Sequence, residues 1–245
     1  MVPSNALPRT DLPYLRRRAR PVVVVAPAAA PSPTAVAPAA LAPAAVPVTA
    51  ERALRPFART RFRAVTALTP KTPTVTLTRL QSGVGMLQIE AACGDAVGDL
   101  RIGCAYQLTS GVTSVVARTS GVNLGPPGSS RPVLVARRAQ FEELVVDLAQ
   151  VRDLERLVVY LYSESDAALR WGGTLVVTTF GQAEIRLALD RAQSTGVMVA
   201  LSVYNLGGEL VLRHEDAEVE PSVRDACVAF GFDQISWLDS RTPLV

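Results

Sequence analysis

Two short segments that are apolar at every position constrain the fold of this chain more than any other feature. Residues 157–162 read LVVYLY and residues 197–201 read VMVAL. A strand with one face in solvent would alternate apolar and polar residues. We therefore predict that both segments are central strands. Each should be covered on one side by a second sheet and on the other by a helix, the N-terminal arm or another subunit.

From residue 74 onward, short runs rich in β-forming residues alternate with Gly, Pro, Ser and Asp. Many strands at regular spacing are typical of a sandwich or a barrel. The sequence Asn205-Leu206-Gly207-Gly208 predicts a hairpin turn, because glycine accepts positive φ. The predicted strands are 74–80, 86–91, 100–108, 113–118, 132–136, 143–148, 156–163, 174–180, 184–188, 197–204 and 209–214.

One helix is predicted near the C-terminus. Pro221 suits a first helical turn and Gly231 a C-terminal stop. Between them, four residues at helical spacing form one apolar stripe. They are Val223, Ala226, Cys227 and Phe230. The predicted fold is therefore mainly all-β, a two-sheet β-sandwich with one short C-terminal helix.

The first 63 residues have a different composition. Residues 21–49 are almost all Ala, Pro and Val, and proline prevents helix or sheet from propagating. This stretch should be an extended, semi-stiff spacer. Residues 51–63 hold five arginines around Pro56, which suggests an arm that orders on a partner. We predict a disordered, Ala/Pro/Arg-rich arm over 1–63 and a sandwich domain over 64–245.

The sign of the net charge changes near residue 80. Residues 1–80 carry twelve basic and two acidic side chains, whereas residues 81–245 carry thirteen and twenty. This asymmetry suggests an arm that touches nucleic acid, an anionic membrane surface or an acidic protein. The alternative is that arginine only keeps an apolar tail soluble. The candidate binding residues are Arg16, Arg17, Arg18, Arg20, Arg59, Arg61 and Arg63.

Cysteine usage and hydropathy indicate the compartment. Three cysteines without a CxxC pair fit a reducing cytosol rather than a disulfide framework. No apolar run reaches the ~18 residues of a membrane span. Residues 22–26 are too short for the apolar core of a secretory signal. We expect a cytoplasmic protein. Its basic arm could hold it at the surface of the membrane.

The sequence lacks a recognisable catalytic constellation. His214 is the single histidine, and it follows Leu210 and Leu212 at period two, which favours a structural role. No GxSxG, HExxH, Walker or GxGxxG motif is present. A rival hypothesis is a sugar-cleaving enzyme with Asp99 and Asp147 as paired carboxylates. The prediction is a non-enzymatic protein.

Three aspartates are candidate metal ligands. Asp95 and Asp99 share a glycine-containing turn, and Asp147 ends another predicted strand. Closely spaced carboxylates can hold calcium, which prefers about six to eight oxygens. Three side chains supply fewer, so calcium is a possible but weak ligand and no other cofactor is expected. The alternative is a solvated turn.

Four stretches together resemble a known family. They are residues 99–106 (DLRIGCAY), residues 144–148 (LVVDL) followed by 157–162, the hairpin 199–210 (VALSVYNLGGEL), and the closing helix with 230–232 and Trp237. In this order and spacing, residues 74–238 resemble the tellurium-resistance TerD-type domain family, in particular its TerA-like branch. The resemblance implies a β-sandwich linked to stress resistance, which in many members binds calcium through aspartates in two loops.

The chain departs from the family pattern at two places. Arg101 stands where the family has the second aspartate of an Asp-Leu-Asp strand, and residues 136–139 (ARRA) replace an acidic cluster. A guanidinium at a cation site repels the ion and can pair with the remaining carboxylate. Asp99 alone matches a family ligand position, and Asp147 matches a strand residue of unassigned role. The predicted calcium site is therefore degenerate.

These observations lead to two expectations about function. The first is a non-enzymatic stress-response module that docks other stress-response proteins or self-associates. The second is a nucleic-acid or anionic-lipid adaptor in which the arginines of the arm carry the affinity. The partner itself is not encoded in any motif of the chain.

Overall fold

The computed structural model describes residues 64–215, 217 and 219–244. The predicted arm over 1–63 lies outside these residues. The described part is mainly β, with strands β1 to β13 at Val65–Leu68, Thr74–Thr76, Met86–Ala92, Leu100–Leu108, Thr113–Ala117, Leu124–Gly125, Leu134–Arg138, Glu142–Asp147, Leu154–Ser163, Thr174–Thr178, Glu184–Ala188, Val197–Leu206 and Glu209–His214. Helices α1 and α2 span Arg79–Gly83 and Val223–Ala229.

The strands form two sheets that pack face to face. The seven-stranded sheet has the order β1-β11-β10-β3-β8-β7-β6, and the six-stranded sheet has the order β2-β13-β12-β9-β4-β5. Strand pairing is antiparallel except between β1 and β11, which run parallel. The prediction of a mainly β, two-sheet sandwich with a short C-terminal helix is confirmed.

The main core lies between the two sheets. In β3, Leu87 and Ile89 are fully buried while the alternate positions face outward. The opposing sheet contributes Val159 and Leu201, also fully buried. This alternation is the pattern of a sheet with one face in the core. Each fully buried side chain of this kind stabilises the fold by about 1.5–3 kcal/mol.

A second apolar layer covers the outer face of the six-stranded sheet. Tyr160 on β9 and Val199 on β12 pack there against Phe230 and Phe232, which follow α2. The segments 157–162 and 197–201 are thus central strands covered on both sides, as predicted. The cover is the C-terminal helix and the chain after it.

The C-terminal helix differs from its prediction in one detail. Ser222 is the N-cap, and its Oγ accepts a hydrogen bond from the Asp225 backbone N–H, so Pro221 precedes the helix instead of starting it. A serine cap satisfies a free helical N–H, which proline cannot do. Gly231 adopts a φ of 74°, as expected of a glycine that ends a helix.

The predicted strand over 74–80 is wrong in its second half. It ends at Thr76, and α1 begins at Arg79. Thr78 and Gln81 form a capping box in which each side chain bonds to the backbone of the other. This Thr-x-x-Gln spacing is a helix-start signal that outweighs the β propensity of the threonines. The short strands β1 and β6 were not predicted.

Candidate functional site

The predicted ligand Asp99 is engaged within its own loop. Its Oδ1 accepts a hydrogen bond from Ser163 Oγ at 2.6 Å, and its Oδ2 accepts one from the Ser165 backbone N–H at 2.7 Å. Burial alone would raise the pKa of Asp99, but these hydrogen bonds outweigh it and lower the pKa below its ordinary value. The two carboxylate oxygens of Asp99 therefore hold the loop after β9 in place. A cation could bind these oxygens only by displacing their hydrogen-bond donors.

The structure does not bring the three candidate aspartates together. Asp95 is exposed in a short 3-10 turn. Asp147 caps another 3-10 segment, accepting from the Ala149 N–H at 3.0 Å and from Gln150 Nε2 at 2.8 Å. Asp147 ends β8, whereas Glu142 begins β8 and lies beside Arg101. Five residues of strand separate those ends by about 16 Å.

Asp147 therefore lies at the opposite end of the sandwich from the turn that holds Asp95 and Asp99, so the three candidate aspartates do not form one group. The described residues contain no group of three or more His, Cys, Asp or Glu placed to hold a metal ion. The same separation exceeds the ~5–10 Å that paired glycosidase carboxylates need. The pairing of Asp99 with Asp147 in the sugar-cleaving hypothesis thus lacks the required geometry.

Arg101 and Arg138 have carboxylate partners of their own. Arg101, Arg118 and Arg138 surround Glu142, with nitrogen–oxygen distances of 3.9, 3.4 and 3.8 Å. Arg101 also pairs with Glu164, so its partners are these two glutamates and not Asp99. We call this cluster the polar end of the sandwich. Glu142 is only 6% exposed, and three cations compensate its buried charge.

Arg137 points to the outer face of the seven-stranded sheet. It donates to both oxygens of Glu143, at 2.8 and 2.9 Å, in a bidentate pair. Gln88 Nε2 adds a third donor at 3.0 Å. Glu90 lies directly across from Glu143. Burial first, and then the charge of Glu143, raise the pKa of Glu90.

The remaining predicted binding residues lie outside the described part of the chain. They are Arg16, Arg17, Arg18, Arg20, Arg59, Arg61 and Arg63.

His214 ends β13 and is half-buried, with its backbone N–H donating to the Pro73 carbonyl at 2.7 Å. It borders a cavity of about 190 Å³ beside Glu215. Within the described residues, no helix is long and apolar enough to cross a membrane.

Sequence reasoning missed an open cleft in the described part of the molecule. Its volume is about 550 Å³, and it opens on the outer face of the seven-stranded sheet where β1, β3, β10 and β11 meet. The lining residues are Val65, Gly85, Met86, Gln88, Thr178, Thr179, Phe180, Gln182 and Glu184. This mixture of apolar walls and a few polar groups is typical of recognition sites.

Three large apolar side chains at the cleft are exposed to solvent. The exposed fractions are 66% for Phe180, 57% for Val65 and 51% for Met86. Phe180 packs over Gly85, where a Cβ atom would lie 2.6 Å from the ring. Gly85 also has a φ of 74°, which favours glycine. Both the close approach of the ring and the backbone conformation therefore require glycine at this position. The cleft wall thus depends on this glycine.

More exposed apolar residues lie at the same end of the sandwich. Leu80 on α1 and Leu206 at the β12–β13 turn are each 61% exposed, and Val84 after α1 is 38% exposed. Helix α1 is held against this turn, because Ser82 Oγ accepts from the Leu210 N–H at 2.9 Å. We call the surface formed by six residues the apolar end. They are Val65, Leu80, Val84, Met86, Phe180 and Leu206.

A signal for the apolar end was present in the sequence. Val84-Gly85-Met86 and Thr179-Phe180-Gly181 each join a large apolar residue to glycine at the end of a predicted strand. Which strand ends lie next to each other depends on the order of the strands in the sheet. No local sequence pattern specifies that order. The sequence matches no family model, and a search of curated proteins finds no match.

Proposed function

We propose that this protein is a non-enzymatic binding module that docks a protein partner at its apolar end. One observation carries the proposal: six large apolar side chains lie in solvent at one end of the sandwich, and three of them, Val65, Met86 and Phe180, line an open cleft. Clustered exposed apolar surface is costly to keep in water and marks interaction sites. A partner that presents its own apolar side chains would bury this surface and gain the free energy of its dehydration.

We further propose that the module is a stress-response protein of the tellurium-resistance TerD type. The support is that stretches carrying the resemblance form two central strands and a hairpin turn of the sandwich. Residues 99–106 lie in β4, residues 157–162 in β9, and the Asn205–Gly208 turn joins β12 to β13. Fold alone does not define function, so the stress role rests on the resemblance.

Calcium is not assigned a role in this proposal. The carboxylate of Asp99 already accepts two hydrogen bonds, and Arg101 brings positive charge beside the same loop through its pair with Glu164. A cation entering there would have to displace those donors and tolerate the guanidinium. We propose that the ancestral type of site is degenerate here and that docking needs no cofactor.

The stress role is tested by survival of the host cell on tellurite and under oxidative stress. The chromosomal gene is replaced by the Phe180→Asp variant or by a matched Leu238→Asp control. Leu238 is 70% exposed near the C-terminus, away from the apolar end. We expect Phe180→Asp to lose resistance as fully as a deletion, and Leu238→Asp to retain it. Equal survival of the two variants would contradict the proposal.

A second candidate function rests on the charge asymmetry. Residues 1–80 carry the net positive charge and the sandwich the net negative charge. This favours an adaptor whose arm binds nucleic acid or anionic lipid while the sandwich holds a protein. Binding of full-length protein to duplex DNA or phosphatidylserine vesicles should then fall steeply with salt. Replacing Arg16, Arg17, Arg18 and Arg20 by Ser should weaken it, and unchanged binding would exclude this role.

A further inference from the structure

The chain enters the sandwich at the rim of the cleft. The Ala64 carbonyl accepts a hydrogen bond from the Glu184 backbone N–H at 2.9 Å, and Val65 and Glu184 both line the cleft. A residue of extended chain spans at most about 3.3–3.6 Å. A segment that ends at Ala64 is therefore long enough to reach the cleft within a few residues.

The composition of that arriving segment matches the cleft. Residues 51–63 contain Leu54, Phe57 and Phe62 among five arginines and one acid, Glu51. The cleft offers the exposed apolar side chains described above, and Gln88, Thr178 and Gln182 as polar neighbours. Aromatic anchors flanked by arginine are the composition that dominates binding energy at interfaces.

Charge on the surrounding face is complementary to the segment. The outward positions of β3, β8 and β11, together with Arg137 on β7, supply four carboxylates and two guanidiniums. They are Glu90, Glu143, Asp147, Glu184, Arg137 and Arg186. Glu143 already pairs with Arg137 and Glu184 with Arg186, so Glu90 and Asp147 supply the acidic excess. This excess favours a basic occupant, and tethering within one chain gives a high effective concentration.

We propose that the cleft is the docking site of this chain's own residues 51–63, with Phe57 and Phe62 as its apolar anchors. The inference rests on the proposed docking function of the apolar end and gives it a resident occupant. A protein partner of the apolar end would then compete with this segment for the cleft.

The experiment measures methionine oxidation by hydrogen peroxide in the purified full-length protein. Met86 lines the cleft and is 51% exposed in the sandwich, whereas Met198 is 3% exposed and serves as the internal buried reference. The test variant carries Phe57→Ser and Phe62→Ser together. The control carries Val36→Ser and Leu41→Ser together, so it also loses two apolar side chains of the arm. Sulfoxide formation at each methionine is followed by peptide mass spectrometry.

We expect Met86 to oxidise about ten-fold faster in the test variant than in the parent and the control. Such protection corresponds to a segment docked about nine-tenths of the time. Met198 should react equally slowly in all three proteins. Equal Met86 rates in parent and test variant would overturn the inference. Protection that depends on protein concentration would also overturn it, and would assign the cleft to a second copy. Because no partner is present, either failure leaves partner docking standing.

Discussion

The two outer faces of the sandwich differ in what covers them. On the six-stranded sheet, α2 and the chain after it cover Tyr160 and Val199, and Phe230 and Phe232 are fully buried there. On the seven-stranded sheet, outward residues such as Met86 are open to solvent, and a cleft of about 550 Å³ lies among them. One face is part of the folded core, and the other offers surface to a ligand.

This difference separates the residues that stabilise the fold from the surface that we propose binds a partner. Arg156 holds the cover in place by donating to the carbonyls of Phe230 at 3.0 Å and Gly231 at 2.6 Å. Its guanidinium also lies 4.2 Å over the Phe232 ring centroid. The covered face is thus fixed by packing, hydrogen bonds and a cation–π contact. Changes on the open face should cost little stability and affect binding instead.

The largest effect expected from this comparison is a contrast between two phenylalanines. Phe230→Ala removes a fully buried ring under α2 and should lower the free energy of unfolding by about 3–5 kcal/mol. Phe180→Ala removes a ring that is 66% exposed and should change it by less than about 0.5 kcal/mol. Urea unfolding of the two full-length variants measures both values. Similar losses for the two would mean that the open face is also part of the core.

A smaller effect concerns buried acids on the two faces. Burial raises the pKa of Glu215 above its ordinary value of 4.5, although Ser202 and Arg213 partly oppose this. A raised folded-state pKa means that its contribution to stability is lost as pH rises through that pKa. Relative to the parent, Glu215→Gln should therefore gain stability as pH rises above 4.5.

Glu90→Gln on the open face should show the same sign with a smaller gain. Its pKa is also raised, by burial and then by Glu143, but Glu90 is only half-buried, so solvent screens the effect. Thermal unfolding of parent and both variants across pH 4 to 8 gives the two differences. A larger gain for Glu90→Gln would reverse the assignment of covered and open faces.

The smallest expected effect is that of calcium. The polar end joins both sheets through ion pairs of its own, and within the described residues the three candidate aspartates do not form one group. We therefore expect the same thermal unfolding midpoint in millimolar calcium and in EDTA. A site at a hundred times its dissociation constant would stabilise by about 2.7 kcal/mol and raise the midpoint by several degrees. Such a rise, lost in Asp99→Asn, would show that Asp99 still holds the ion.

The covered face was predictable from the sequence because its strands are apolar on both sides. Residues 157–162 and 197–201 require cover, and the stripe from Val223 to Phe230 supplies it. The 74–80 error has a local cause, since the Thr78–Gln81 capping box starts a helix within an apparently β-forming run. These features act through neighbouring residues or strict periodicity, so they can be read without the structure.

The cleft was not predictable in the same way. Val65, Met86 and Phe180 come from three distant segments, and they meet only because β1, β11, β10 and β3 are adjacent in the sheet. Asp99 and Asp147 failed as a pair for the converse reason, since Asp99 precedes β4 whereas Asp147 ends β8 at the opposite end of the sandwich. Strand order depends on long-range pairing that no local pattern specifies.

Site-specific photo-crosslinking in the host cell tests the central claim most directly. A photoreactive phenylalanine analogue is placed at Phe180 on the apolar end, and in a matched strain at the exposed Leu238. Covalent adducts are then identified by mass spectrometry. The account predicts a discrete protein adduct from position 180 that is absent from position 238. Equal adducts at both positions, or adducts at 238 alone, would contradict the assignment of the apolar end as the docking surface.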